Sequence, residues 1–201
     1  MKKIALSLFL AFGLAQASCT FMQPTDVDVT FKAFKTPLKL GVGGHFTEVN
    51  YNSTVKSATD LNTLVAGSTV IIEVASVDSN NKGRDEKLLN DFFKQMAGPD
   101  IKAKVISLVK DKDARKTGVA TVSVSMNGVT RNVPMKYSFS NGKLSAEGVI
   151  DLLDFKASKA LKAINTACYD LHEGKTWSDV NIGFSMVIKA VCNVPVVKGH
   201  K

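Results

Sequence analysis

Residues 118–153 read GVATVSVSMNGVTRNVPMKYSFSNGKLSAEGVIDLL, and this stretch predicts its own strand pairing. Asn127-Gly128 and Asn141-Gly142 each interrupt a run in which apolar and polar residues alternate. Asn-Gly favours the positive φ angles of a type I′ turn, whose twist matches that of the strands it joins. The sequence therefore predicts a three-stranded antiparallel meander with two two-residue turns.

These turns define a register in which each face of the meander has a single character. The apolar face pairs Val122–Val133, Ala120–Met135, Phe139–Leu144, Tyr137–Ala146, Met135–Gly148 and Val133–Ile150. The polar face pairs Ser125–Thr130, Ser123–Asn132, Ser138–Ser145 and Lys136–Glu147. A one-residue slip would exchange the faces, so we expect the apolar face to be buried. Pro134 has no N–H to donate, which predicts a bulge or weak pairing at that position.

Alternation predicts further strands along the chain, in segments 25–34, 38–50, 68–77, 101–109 and 180–192. Helical spacing of apolar residues predicts a short helix over 85–97 and one long helix over 155–171, before the last strand. Glycines in the second of these strands favour bulges or tight bends, as at a barrel corner: Gly41, Gly43 and Gly44. About eight antiparallel strands with little helix indicate a mainly β domain, built as a closed barrel or a sandwich.

Residues 1–17 have the three parts of a secretory signal peptide. Lys2 and Lys3 form a basic start, residues 4–14 are apolar, and Ala15-Gln16-Ala17 is a small-x-small cleavage site. This pattern predicts export to the periplasm of a single mature domain over 18–201. Cys19 leaves a minor alternative open, in which that cysteine carries a lipid anchor.

Charge excludes one class of partner. Lys2 and Lys3 account for two of the 26 Lys and Arg residues, which leaves 24 against 18 Asp and Glu, a net charge of +6. The basic residues are interspersed, whereas nucleic-acid binding calls for a basic cluster beside a reading or stacking element. We therefore expect no nucleic-acid partner. Transient contact with an anionic membrane is compatible with this charge, and the sequence leaves monomer and homodimer open.

Three segments carry a resemblance to the YceI-like family, bacterial periplasmic proteins that bind polyisoprenoids and other amphiphiles. The first, 27–46, ends in Gly43-Gly44-His45-Phe46, and the third, 118–155, contains Asn127-Gly128-Val129-Thr130 and ends in Leu153-Asp154-Phe155. The second is the most specific and consists of Ala75-Ser76-Val77-Asp78, Gly83-Arg84-Asp85, Leu88-Leu89 and Phe92-Phe93. The resemblance implies an up-and-down lipocalin-like β-barrel that carries an isoprenoid, a quinone tail or a fatty-acid derivative, with no other cofactor.

The inward apolar rows would then line a lipid tunnel, whereas in a generic domain they would fill a solid core. The residues expected on the lining are Phe31, Phe46, Ile72, Phe92, Phe93, Val122, Met135, Tyr137, Phe139, Ile150, Ile182, Phe184 and Met186. Arg84 and Asp85 open the short helix, where a capping role is favoured over contact with a lipid head group.

Three cysteines in an exported chain predict one disulfide and one free thiol. If the first and last strands close the barrel, Cys19–Cys192 is favoured, and Cys168–Cys192 is the alternative. Cys168 and His172 are one helical turn apart, so a small redox or haem carrier stays open as an alternative function, without further metal ligands at suitable spacing. An enzyme acting on a lipid also stays open, although the sequence has no Gly-x-Ser-x-Gly motif. The sequence therefore favours a non-enzymatic lipid carrier.

Overall fold

A computed structural model describes residues 18–114 and 116–193, so the predicted signal segment 1–17 lies outside the described residues. Alternating sequences form thirteen strands in this part of the chain. They are β1 Ser18–Met22, β2 Asp28–Lys35, β3 Leu40–Phe46, β4 Val49–Asn52, β5 Ser57–Ala58, β6 Thr69–Glu73, β7 Val77–Asp78, β8 Asp100–Lys110, β9 Thr117–Met126, β10 Val129–Ser140, β11 Lys143–Asp151, β12 Asp179–Val187 and β13 Ala190–Asn193.

Ten of these strands form one curled antiparallel sheet in the order β4-β6-β8-β9-β10-β11-β12-β2-β3-β7. The two outer strands of the sheet continue other strands in it, since β4 follows β3 and β7 follows β6. The segments β3–β4 and β6–β7 are therefore the two arms of one bent hairpin. Backbone bonds continue the pairing through the bend, from Thr47 N to Ser76 O at 3.0 Å and from Glu73 N to Glu48 O at 3.2 Å. The sheet therefore curls back on itself, which confirms the predicted mainly β, barrel-like architecture.

The bend lies after the glycines that were expected to cause it. It falls at Thr47 and Glu48, between β3 and β4. Gly44 has a different role, because a Cβ atom there would lie 2.8 Å from the carbonyl oxygen of Asp78 and 2.6 Å from the ring of Phe31. Glycine at this position permits β3 to approach β7 closely.

The meander has the predicted turns, with positive φ at Asn127, Gly128, Asn141 and Gly142. All predicted pairs between β9 and β10 are observed, as are those between β10 and β11 as far as Lys136–Glu147. The β10–β11 ladder ends there, so the predicted pairs Met135–Gly148 and Val133–Ile150 lie beyond it. Pro134 pairs in regular register with Thr121 of β9, so the expected weak pairing is confined to the side of β10 that faces β11.

Helices are shorter than the sequence pattern predicts. Helix α1 is Leu61–Val65; α2 is Lys82–Lys87, continued by a π turn over Leu88–Phe92 and a 3-10 turn over Phe93–Gln95. The long helix expected over 155–171 is divided into a 3-10 turn at Leu152–Phe155, α3 at Ser158–Ala167 and a 3-10 turn at Asp170–His172. Lys156 adopts a left-handed conformation with φ 54°, which ends the first turn before α3 begins.

The side chain of Asn127 fastens both helical segments to one end of the sheet. Its Oδ1 accepts from the backbone N–H of Ala97 at 2.8 Å, and its Nδ2 donates to the carbonyl of Phe155 at 2.9 Å. The residue that forms the β9–β10 turn therefore also holds the segment after the 3-10 turn that follows α2, and the 3-10 turn that precedes α3. No helix in the described residues is both long and apolar enough to cross a membrane.

The last predicted strand, 180–192, is in fact two strands in two sheets. β12 ends at Val187, and β13 joins a second sheet in the order β13-β1-β5. Ile188 is still buried, but Ala190 is exposed, so the inward-facing row expected along 180–192 ends at Ile188. Cys19 and Cys192 face each other across β1 and β13 and form the favoured disulfide, while Cys168 is a buried free thiol.

Candidate functional site

A cavity of about 500 Å³ lies inside the curled sheet. Side chains alternate across a strand, so every second residue of the barrel strands faces this space. The structure places eleven of the thirteen expected lining residues on the cavity wall: Phe31, Phe46, Ile72, Phe92, Phe93, Val122, Met135, Ile150, Ile182, Phe184 and Met186. That these residues contact a ligand stays a prediction.

Tyr137 and Phe139 were expected on the wall and lie elsewhere. Both belong to the inner row of β10, but they sit deeper than the cavity, near the end of the barrel where β1 crosses it. Tyr137 is buried against Gly118, and burial raises the pKa of its hydroxyl. Phe139 packs edge-on against Phe21 of β1, with ring centroids 5.8 Å apart. Alternation identifies the face of a strand, but not how far along it the open space extends.

Four aromatic rings form a continuous row along one side of the cavity. Centroid distances are 5.6 Å for Phe31–Phe46, 6.1 Å for Phe46–Phe93 and 5.2 Å for Phe92–Phe93. Phe92 and Phe93 are consecutive, yet both are buried and both reach the cavity. They stand where a π turn gives way to a 3-10 turn, and such turns commonly occur at functional positions. This change of helical pitch directs two adjacent rings into the same space.

One end of the cavity is polar, and sequence reasoning did not identify it. Lys35, Arg84, Lys87, His172 and Thr176 all line the cavity. They come from the end of β2, from α2 and from the segment between α3 and β12. We call this group the basic mouth. Its members come from three distant segments that share no motif, so only the fold brings them together.

Hydrogen bonds determine the form of His172 in the basic mouth. The hydroxyl of Thr176 donates to Asn165 Oδ1 at 2.8 Å and lies 2.6 Å from His172 Nδ1. Because the hydroxyl has one proton, Nδ1 of His172 must be the donor to it. Burial lowers the pKa of His172, and the nearby charges of Lys35 and Lys87 lower it further. The imidazole is therefore held neutral with its Nε2 lone pair free to accept.

Arg84 and Asp85 have a structural role, but not the expected capping role. The N-cap of α2 is Asn81, whose Oδ1 accepts from the backbone N–H of Arg84 at 2.9 Å. Asp85 Oδ1 accepts from the backbone N–H of Ser79 at 2.9 Å and from its hydroxyl. Arg84 donates from Nε to Ser79 Oγ at 2.8 Å and from Nη2 to Ser79 O at 2.6 Å. Together they hold the turn before α2, while Arg84 also borders the cavity.

The Cys168–His172 pair was the basis of the redox or haem alternative. Burial raises the pKa of the Cys168 thiol, which opposes the thiolate form that binds metals and attacks electrophiles. Within 18–114 and 116–193, no group of three or more His, Cys, Asp or Glu residues is arranged to hold a metal ion. The pair therefore supplies a thiol and a neutral imidazole to the wall of an apolar cavity.

Comparison with known proteins agrees with the fold and the cavity. A family model described as the YceI-like domain matches residues 21–188. The chain belongs to the YceI-like family. This confirms the resemblance drawn from the three sequence segments. No match was found among curated proteins.

Several solved structures share the fold at low sequence identity. A polyisoprenoid binding domain from Saccharophagus degradans is 11% identical, with a TM-score of 0.58 over 86% of this chain and 98% of that one. Burkholderia cenocepacia BcnA is 15% identical, with a TM-score of 0.55 over 81% and 96%. The Campylobacter jejuni YceI protein is 19% identical, with a TM-score of 0.50 over 97% and 100%.

Proposed function

We propose that this YceI-like protein binds a long-chain amphiphilic lipid and holds its tail inside the barrel. The observation that carries the proposal is the cavity of about 500 Å³, whose walls are mostly apolar outside the basic mouth. Ligand pockets commonly measure about 300–1,000 Å³. Family membership supports a binding role over catalysis, and one structural neighbour is described as a polyisoprenoid binding domain.

Removal of the tail from water supplies the affinity. Each buried methylene contributes about 0.8 kcal/mol, so about ten of them contribute about 8 kcal/mol before the costs of association are subtracted. The aromatic row and the Val, Ile and Met side chains around it contact the tail but form no hydrogen bonds with it. They therefore do not select one type of alkyl chain. Isoprenoid, quinone-tail and fatty-acid-like cargoes therefore all fit the tail site.

The test fills the cavity while leaving the outer surface unchanged. Ala103 on β8 is a small residue on the cavity wall, and Ile106 on the same strand is 45% exposed on the outside. Native mass spectrometry and organic extraction of the purified protein should show bound lipid in the wild type and in Ile106→Trp. Folded Ala103→Trp should have lost most of it. An equal lipid content in both variants would contradict the cavity as the binding site, as would a wild type that neither carries nor takes up lipid.

Export to the periplasm is part of the proposal. The pattern of residues 1–17 supports it, and so does the Cys19–Cys192 disulfide, because such bonds persist in oxidising compartments. The same bond supports export without a lipid anchor over the anchored alternative, because it engages Sγ of Cys19. Fractionation of cells that express the full chain should place the protein in the periplasm, and deletion of residues 2–17 should retain it in the cytoplasm. Cytoplasmic retention of the full chain would refute export.

A further inference from the structure

The charged side chains on the cavity wall all have the same sign. Lys35 ends β2, and Arg84 and Lys87 lie in α2. Among the residues that the structure describes, no Asp or Glu lines the cavity. The basic mouth therefore combines three cations with a neutral imidazole at the entrance to an apolar space.

Within the described residues, none of these three cations forms an ion pair with a carboxylate, although the charge of Asp91 acts on the neighbouring Cys168. In residues 18–114 and 116–193 the ion pairs join Lys39 to Asp179 at 2.7 Å and His45 to Asp78 at 3.9 Å. Neither pair includes a member of the basic mouth. The carboxylate next to Arg84 in sequence, that of Asp85, is occupied by Ser79. The ammonium groups of Lys35 and Lys87 lie at the solvent-accessible edge of an apolar space. A cleft lined by charges of one sign attracts the opposite sign, which makes the mouth a site for an anion.

The two lysines are held in place, and both keep donors to spare. Lys35 Nζ donates to the carbonyl of Leu171 at 3.3 Å, and Lys87 Nζ donates to that of Ala167 at 3.2 Å. Each bond uses one of three ammonium N–H groups. The two carbonyls lie on either side of the segment from Cys168 to Asp170, so the ammonium groups are placed around the His172 side of the cavity.

Arg84 completes the basic mouth from α2. Ser79 engages its guanidinium through Nε and Nη2, which orients the planar group. A guanidinium carries five N–H groups, so the group can donate further while Ser79 holds it.

We propose that the basic mouth binds the acidic head group of the amphiphile, a carboxylate or a phosphate, while the tail occupies the cavity. The inference rests on the proposed lipid-binding function and names the chemical class of its ligand. Charge-assisted hydrogen bonds from Lys35 and Lys87 are about twice as strong as neutral ones. A neutral alcohol or amide would leave the positive charges uncompensated. Selectivity between amphiphiles therefore depends on the charge of the head group.

The test compares ligands that share one tail: dodecanoate, dodecyl phosphate and dodecanol, measured by calorimetry below their aggregation limits at slightly alkaline pH. Wild-type protein should bind at least one of the two anions about tenfold or more tighter than the alcohol. The double variant Lys35→Gln/Lys87→Gln should lose that preference and keep its affinity for dodecanol. The control variant Lys39→Gln/Lys136→Gln removes two lysines that do not line the cavity, and it should keep the wild-type preference.

The outcomes separate this inference from the function on which it rests. Equal binding of all three ligands would overturn the acidic head group and leave lipid binding intact. Failure of all three to bind would overturn the proposed function itself. A preference that survives in Lys35→Gln/Lys87→Gln would overturn the assignment to these lysines. Tighter binding of the phosphate or of the carboxylate supports the inference and distinguishes the two head groups.

His172 provides a readout that does not depend on affinity. In the empty protein, burial and then the positive charges of Lys35 and Lys87 lower the pKa of His172. A bound anion would offset those two charges. An NMR titration of the imidazole should give a higher pKa with dodecanoate or dodecyl phosphate bound than with dodecanol bound. The same pKa in all three complexes would contradict an anion at the mouth.

Discussion

At one end of the barrel the chain is tied to itself, and at the other charged side chains surround the entrance to the cavity. The tied end holds the sheet β13-β1-β5, the Cys19–Cys192 disulfide and the contact of Phe21 with Phe139. The basic mouth lies where β2 ends, under α2 and α3. Side chains at the tied end are packed without space, whereas those at the mouth border the cavity. We therefore expect stability to depend mainly on the tied end and ligand binding on the mouth.

One substitution made at both ends gives the largest difference. Leu144 is fully buried near Phe139, whereas Leu161 is partly exposed and lines the cavity. Leu144→Ala should lower the free energy of unfolding by about 2–5 kcal/mol, because it creates a cavity in a packed region. Leu161→Ala enlarges an existing space and should cost about 1 kcal/mol, but it should weaken lipid binding. Urea unfolding and lipid titration measure both quantities; equal losses of stability would break the comparison.

Loss of the disulfide should be the next largest effect. The bond joins residues separated by 173 positions, so its removal frees a long loop in the unfolded chain. Cys19→Ala/Cys192→Ala should lower the free energy of unfolding by about 2–5 kcal/mol without changing lipid affinity. The matched control is Cys168→Ala, which removes a free thiol from the cavity wall. If the control destabilised the protein as much as the double variant, the disulfide would not be what stabilises the tied end.

Acid should destabilise the mouth and the tied end, where α1 packs against β1 and β5, in separate pH ranges and with smaller effects. Burial lowers the folded-state pKa of His172 below 6.5, so the stability that its neutral form contributes is complete above pH 6.5 and is lost as pH falls below it. Hydrogen bonds from the backbone and hydroxyl of Thr63 lower the pKa of Asp60, the N-cap of α1, below 3.8. Its contribution is present above pH 3.8 and is lost below it.

His172→Gln should abolish the loss of stability that begins below pH 6.5. Asp60→Asn should abolish the loss below pH 3.8 and still provide a capping side chain. Urea unfolding at a series of pH values measures each. An unchanged pH dependence just below 6.5 in His172→Gln would show that the mouth does not respond to acid through this residue.

Much of the barrel could be predicted from local patterns. The register around Asn127 and Asn141 and the direction of Phe31, Ile72 and Met186 into the interior follow from turn chemistry and alternation. The pairing of Cys19 with Cys192 follows from the expected neighbourhood of the first and last strands. The errors concern length: the helix expected over 155–171 is broken at Lys156, and the strand expected over 180–192 leaves the barrel after Ile188. The spacing of apolar residues continues across such breaks, because the segments before and after each break bury the same side of the chain.

Sequence by itself therefore determined the register of the central strands, the faces they bury and the family. Those features depend on residues a few positions apart, where the geometry of one turn or one pleat decides the outcome. Only the tertiary structure decided that Tyr137 and Phe139 close the tied end while Met135 borders open space. It alone gathered Lys35, Lys87 and His172 into one mouth, because their proximity depends on how the sheet curls and where the helices rest on it.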